Sequence, residues 1–202
     1  MKLYYTPGAC SLAAHIILNE INVDFEIEKV NLDTHRTEKD QDFYKINPKG
    51  FVPALEINQG SILTENVAIL TFLAQKDPHQ KMIPSLGLDN IRLLEWLGYL
   101  NSQLHNAYLY FFHNELTDDQ KLKGFEKINK YLVFIDNFLE HSDHLYLVND
   151  SFGPADAYFF VLTNWSSYIK HDLTPYKHIL ALRKNIEQRQ SVQVTMKKEG
   201  LI

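Results

Sequence analysis

Apolar residues recur with two different periods along this chain. In the first part, short alternating runs read as strands: Lys2-Leu-Tyr-Tyr5, Phe25-Glu-Ile-Glu-Lys-Val-Asn31 and the stretch after Pro53, whose Leu55 and Ile57 share one side. Cys10 to Leu18 reads as a helix between the first two, making a βαβ unit with a parallel pair and a right-handed crossover. Residues 33–45 are charged and polar and read as an irregular helix anchored by Phe43 and Ile46. A loop at Asn58-Gln-Gly60 returns the chain through Ile62-Leu63 as a hairpin. Thr64-Glu65-Asn66 then opens a helix with Thr64 as its N-cap, ending before Asp77-Pro78. The predicted order is βαβα followed by ββα.

Residues 78–88 have the turn-rich composition of a linker, and beyond Asp89 the strand pattern disappears. Leu93, Leu97, Leu100 and Leu104 form an apolar stripe at helical spacing, while Gly98, Ser102 and His105 form a second row that is small and polar. Such a row on a helix built for burial faces water or a site. Thr117-Asp-Asp-Gln120 has the capping-box pattern and precedes a helix with Ile128, Leu132, Ile135 and Leu139 on one face. Phe152-Gly-Pro-Ala-Asp-Ala157 opens the next helix, Thr174-Pro175 another, and a short terminal helix runs over 191–198. The division is an α/β unit over 1–77, a linker over 78–88 and an all-helical unit over 89–202.

Composition narrows the partners. The 202 residues are 45% hydrophobic and 22% charged with a net charge of −5, so no basic stripe is available for nucleic acid. No stretch approaches the roughly 20 apolar residues of a membrane span. A single cysteine without a signal segment points to a reducing cytosol. His141 and His144 supply only two candidate ligands in a helix-ending turn, so no metal is expected.

That single cysteine sits where a Pro-Gly turn gives way to a helix. Unpaired N–H groups and the positive dipole end favour a thiolate there, which predicts a lowered pKa for Cys10. Ala13 occupies the place of a resolving cysteine, so thiol chemistry at Cys10 needs an outside thiol, and the abundant one is glutathione. A buried cysteine acting as a small hydrophobe is the alternative. In the second informative stretch, Asn47-Pro-Lys-Gly-Phe-Val-Pro-Ala-Leu-Glu-Ile57, Pro53 is allowed only at a strand's start or edge. Val52 therefore keeps backbone groups to which an extended peptide can add.

Lys2-Leu-x-Tyr, Pro-Gly-Ala-Cys-Ser-Leu, Asn-Pro-Lys-Gly-x-Val-Pro-Ala-Leu and Leu-Thr-Glu-x-Val-Ala-Ile, in this order, resemble the glutathione S-transferases. The bacterial beta class, with a cysteine at this place, is the nearest match, and the likeness covers the whole chain. The resemblance implies a thioredoxin-like α/β N-terminal domain, an all-α C-terminal domain and glutathione as co-substrate. It implies that Val52, before a cis Pro53, pairs with the cysteinyl backbone of glutathione. Glu65 would meet the γ-Glu ammonium, and the Asn66 N–H its carboxylate. His35 stands where close relatives place a lysine for the glycyl carboxylate. His105 would lie opposite Cys10, with Gly98, Ser102 and Gln103 around the peptide, and Ser11 or His105 would donate to the sulfur. Tyr108, Tyr110, Phe111 and Phe112 are candidates for an apolar pocket, with a core role equally open.

The implied activity is transfer of glutathione's sulfur to a small hydrophobic electrophile, by a two-fold homodimer. A disulfide or peroxide reductase working through Cys10, and a non-catalytic carrier, are the competing readings. Family members usually have Ser or Thr where Gly153 stands, so half of that helix's capping box is missing. Imidazole titrates near pH 6.5 and is a weaker anion partner than lysine at pH 7. With His35 facing the glycyl carboxylate, glutathione should bind more tightly as pH falls from about 7.5 to 6; a calorimetric affinity that is flat over this range contradicts the assignment.

Overall fold

A computed structural model describes residues 1–82, 88–112 and 115–202. Five strands form one mixed sheet in the order β3-β2-β1-β4-β5, with β1 at Lys2–Tyr5, β2 at Glu26–Asn31, β3 at Arg36–Thr37, β4 at Ala54–Asn58 and β5 at Ser61–Thr64. β1 and β2 run parallel, as the crossover through α1 (Ser11–Glu20) requires, and the other neighbours are antiparallel. α2 (Asn66–Gln75) packs beside α1.

α1 is apolar nearly all round, because it is covered by the sheet and α2 on one side and by two helices of the second half on the other. Residues Ser11 to Leu18 are all buried, the pattern of a helix running through a core rather than over it. This burial joins the halves.

The segment 33–45 departs from the expected irregular helix. It holds the two-residue β3 and one 3-10 turn, Phe43–Lys45, capped by the Asp42 carboxylate accepting the Tyr44 N–H at 3.0 Å. Local polar side chains explain the difference: the Asn31 side-chain oxygen accepts from the N–H groups of Asp33 and Thr34, and His35 and Asp40 adopt left-handed conformations. Phe43 is nevertheless fully buried, with Ile46 partly so. Nor is Thr64 the cap of α2. It ends β5, and Glu65 takes the N-cap position at φ 72° with no side-chain capping bond.

The helical half begins with α3 (Leu88–Tyr99), which continues through a wide π turn (Leu100–His105) into α4 (Asn106–Leu109). Leu93, Leu97, Leu100 and Leu104 are all buried. The stretch 83–87, within the expected linker, lies outside the described residues. α5 (Asp118–His141) starts on the expected capping box, with Thr117 Oγ1 accepting the Gln120 N–H and Gln120 Oε1 accepting the Thr117 N–H. α6 (Pro154–Tyr168) is followed by α7 (Lys177–Glu187), which starts after Thr174-Pro175 rather than on it, and by α8 (Gln190–Lys198). No helix among the described residues is long and apolar enough to cross a membrane.

At the start of α6, Asp156 reaches back to the Gly153 N–H at 2.9 Å and takes the Leu147 N–H at 2.8 Å with its other oxygen. Burial pushes this carboxyl up to about 7 against the pull of both N–H groups. A Cβ on Gly153 would lie 3.9 Å from its nearest neighbours, so a serine fits without strain. Gly153→Ser completes the box and should stabilise the protein by a few tenths of a kcal/mol, about 1 °C in calorimetric midpoint; an unchanged or lower midpoint contradicts the capping argument.

Candidate active site

The β1–α1 loop carries Cys10 to the N-cap of α1, and the turn at residues 47–50 carries Val52 to the mouth of β4. The turn is fastened by Asn47, whose buried side chain donates to the Phe51 carbonyl at 2.7 Å and accepts from the Lys49 N–H. The Val52-Pro53 peptide is cis. The β1–β4 ladder ends at the Tyr4–Ala54 pair, short of Val52. At that point the Cys10 thiol donates to the Val52 carbonyl, Sγ to O 3.4 Å.

Cys10 is half-buried and its thiol is not activated as its position suggested. Burial pushes it up to about 12, outweighing the favourable N–H groups of Cys10 and Ser11, and the nearby Glu65 carboxylate adds to the rise. The S–H bond to the Val52 carbonyl also favours the protonated form. The helix start still pulls the pKa down, but the sulfur lies against the core and desolvation outweighs it.

Ser11 is fully buried and turned inward: its hydroxyl accepts from the Thr6 N–H at 3.2 Å and donates to the Thr6 carbonyl at 3.3 Å. It closes the loop that presents Cys10. The side chain is thus occupied by its own chain, whereas its N–H points the way the helix start points.

The π turn carries His105. Its Nδ1 lies 2.7 Å from the Tyr158 hydroxyl, which donates to Asn101 Oδ1 at 3.0 Å. With that proton committed to Asn101, the hydroxyl accepts from His105 Nδ1–H, and the lone pair is left on Nε2. Burial pushes His105 down to about 4, so the ring is neutral at pH 7. Tyr158 is fully buried and raised well above the usual phenol range by burial, with the Cys10 charge a further cause. Trp165 lays its ring 5.0 Å from that of His105.

Asn66, the first residue of α2, is buried with both side-chain amide atoms unpartnered. The amide lies close enough to the Tyr158 hydroxyl to lower that phenol's pKa, though not in full hydrogen-bond geometry. Beside it, Glu65 is exposed and paired with Lys49 at 2.6 Å. Its left-handed backbone is an energetically unfavourable conformation of a kind that concentrates at ligand clamps. Gly98 and Ser102 are exposed, so the small polar row is open. Gln103 is held by the Tyr131 hydroxyl at 2.9 Å. His35 stacks on Tyr44 with ring centroids 4.4 Å apart and a buried, unpartnered Nδ1.

The aromatic run divides. Tyr108 is core, its hydroxyl 2.6 Å from that of Ser166; Phe111 stacks on Phe125; Tyr110 and Phe112 are exposed, and Phe112 leans on Trp165. Sequence reasoning passed over Asn101, Tyr158 and Lys49. Asn101 was detectable, lying four residues before His105 on the same helix face. Tyr158 and Lys49 carry no local signal, since only the tertiary fold brings each to its partner.

A mixed five-stranded sheet with a cis-proline strand entrance, followed by a helical half, is an architecture shared with the glutathione S-transferases. Residues 1–75 match the glutathione S-transferase N-terminal domain, and residues 100–190 the C-terminal domain. The chain is 35% identical to glutathione S-transferase GstA of Escherichia coli O157:H7 and 30% identical to glutathione S-transferase GST-4.5 of Xanthomonas campestris, covering the whole of itself and of each relative. Among solved structures, a sphingomonad glutathione S-transferase complexed with glutathione superposes with a TM-score of 0.93 at 40% identity over the whole of both chains. The bacterial beta class enzyme of Sphingomonas chungbukensis gives 0.94 at 36%, again over the whole of both chains. The chain belongs to the glutathione S-transferase family.

A thiol near 12 is almost wholly protonated at neutral pH. Iodoacetamide should alkylate Cys10 at pH 7.5 at least about a hundredfold more slowly than free cysteine, the rate still climbing above pH 9; a plateau reached near pH 7 contradicts the buried, protonated state.

Proposed function

We propose that this protein is a glutathione transferase that binds reduced glutathione across the mouth of β4 and delivers its sulfur to a small hydrophobic electrophile. One observation carries the reading: Val52, beyond the ladder and before a cis proline, faces the N-terminus of α1 while the unpartnered Asn66 amide opens α2. The cysteinyl backbone of glutathione pairs with Val52 beside Pro53, and its γ-Glu end lies at Asn66 and Glu65. The γ-Glu ammonium then competes with Lys49 for the Glu65 carboxylate. His35 meets the glycyl carboxylate, and Gly98, Ser102, Gln103 and His105 line the far side.

In the reaction the glutathione S–H gives its proton to solvent, sulfur bonds to the electrophilic carbon, and the leaving group departs with its electron pair. The N–H groups at the start of α1 favour the developing thiolate. A neutral His105 near 4 is too weak a base to keep that proton at pH 7. With Nδ1–H given to Tyr158, its free Nε2 accepts from the glutathione S–H before the proton leaves rather than donating to the sulfur as the sequence suggested, and its orientation is fixed by Tyr158 and Asn101. Cys10 crowds the sulfur site without supplying charge, which favours conjugation over disulfide chemistry. Ser11 acts through the Thr6 loop.

The same reading takes 1–77 as the glutathione domain, 78–88 as its linker and 89–202 as the domain holding the electrophile. It also takes the active form as a homodimer, in which a second copy covers exposed apolar residues such as Phe51, Ile91 and Leu94.

Cys10→Ala separates conjugation from redox chemistry. With chlorodinitrobenzene as electrophile, the variant should keep conjugation within about tenfold of the wild type, since one thousandfold loss would be about 4 kcal/mol of transition-state stabilisation that a protonated thiol does not provide. Conjugation falling to the uncatalysed rate, with disulfide reduction dominant in the wild type, overturns this function in favour of the oxidoreductase.

A further inference from the structure

The loop that presents Cys10 is gripped from outside its own domain. Gly8, two residues before Cys10, has φ +72° and both polar groups of its backbone are taken by the helical half. Its N–H donates to Glu199 Oε2 at 2.9 Å, and its carbonyl accepts from the Trp165 indole N–H at 2.8 Å. Glu199 follows α8 directly, and its side chain has no exposed surface. Its second oxygen lies 2.8 Å from Nδ1 of His15, itself 2% exposed and enclosed by the rings of Tyr5 and Phe25.

A carboxylate stripped of water is expensive to keep, and removing one partner of such a cluster costs more than the cluster contributes. Stability alone would be served as well by an apolar side chain between α1 and α8. What a carboxylate supplies here is an acceptor fixed against the Gly8 N–H, held in direction by His15. Trp165 fixes the other side of the same residue, and its ring also lies on His105 and Phe112. Inside the loop, the Ser11 hydroxyl ties Thr6, and the Ala9 N–H bonds the Thr6 carbonyl at 3.1 Å.

We propose that Glu199 is a positioning residue for the thiol chemistry: with Trp165 it clamps Gly8 and thereby sets where the Cys10 thiol and the first N–H groups of α1 stand relative to Val52. The C-terminal end of the chain is then part of the machinery of the N-terminal site. Releasing the clamp lets the Cys10 S–H leave the Val52 carbonyl and moves the N–H groups away from an incoming sulfur. This step deepens the transferase reading and rests on it, except for its effect on Cys10.

Two readouts separate positioning from folding. In folded Glu199→Ala without glutathione, iodoacetamide at pH 8 should alkylate Cys10 at least fivefold faster than in the wild type. With glutathione bound, the thiolate absorbance near 240 nm should titrate about one pH unit higher, and kcat at pH 6.5 should fall about tenfold while KM for chlorodinitrobenzene changes less than twofold. Glu199→Gln keeps an oxygen for the Gly8 N–H and should restore most of both. If Glu199→Ala does not fold, Trp165→Phe, which keeps a ring and removes the N–H to Gly8, is read in the same assays with the same expectation. Alkylation and thiol titration within twofold of wild type in the folded variant overturn the proposal. If the wild type fails to bind glutathione, the transferase reading falls while the alkylation comparison still decides the clamp.

Discussion

The arrangement depends on two stretches of backbone, more than forty residues apart in sequence, meeting at the contact between the Cys10 thiol and the Val52 carbonyl. The first is the N-terminal turn of a helix buried on all sides; the second is a strand entrance whose proline has no N–H to give to a ladder. Each leaves polar backbone groups unsatisfied by its own secondary structure. Bringing them together sets backbone groups from two separate elements side by side, which is the geometry on which the proposed glutathione site rests.

Burial decides the protonation of Cys10 and His105. It drives the Cys10 thiol up and His105 down, so both are neutral at pH 7. Neither brings a charge to the site. The field available to a second sulfur comes from the start of α1, and its value depends on the geometry of the loop before it. This makes Thr6, Gly8 and Ser11 as important as the residues that face the ligand, and it connects them to Trp165 and Glu199 at the other end of the chain.

Much of this was legible in the sequence where one local force dominated. Alternation gave β2 and β4, the Thr117–Gln120 box gave the start of α5, and the leucine stripe gave the buried face of α3. The cis Val52-Pro53 peptide followed from the resemblance. Local competition hid the remainder: Asn31 and Asp42 capture backbone N–H groups and break the helix expected over 33–45, and a positive φ at Glu65 shifts the start of α2 beyond Thr64. The state of Cys10 was misread because position on a helix is visible in sequence and desolvation is not. Ser11 likewise looked like a donor to the site, although its hydroxyl is spent on Thr6. The clamp on Gly8 spans 191 residues to Glu199 and leaves no trace in any local pattern.

The most direct test of the central claim is a crystal structure with reduced glutathione. The account predicts main-chain bonds between the cysteinyl unit and Val52, the γ-Glu end at Asn66, and the glutathione sulfur within hydrogen-bonding reach of the N–H groups that open α1. A groove left empty at saturating glutathione, or a ligand whose sulfur points away from α1, would contradict it.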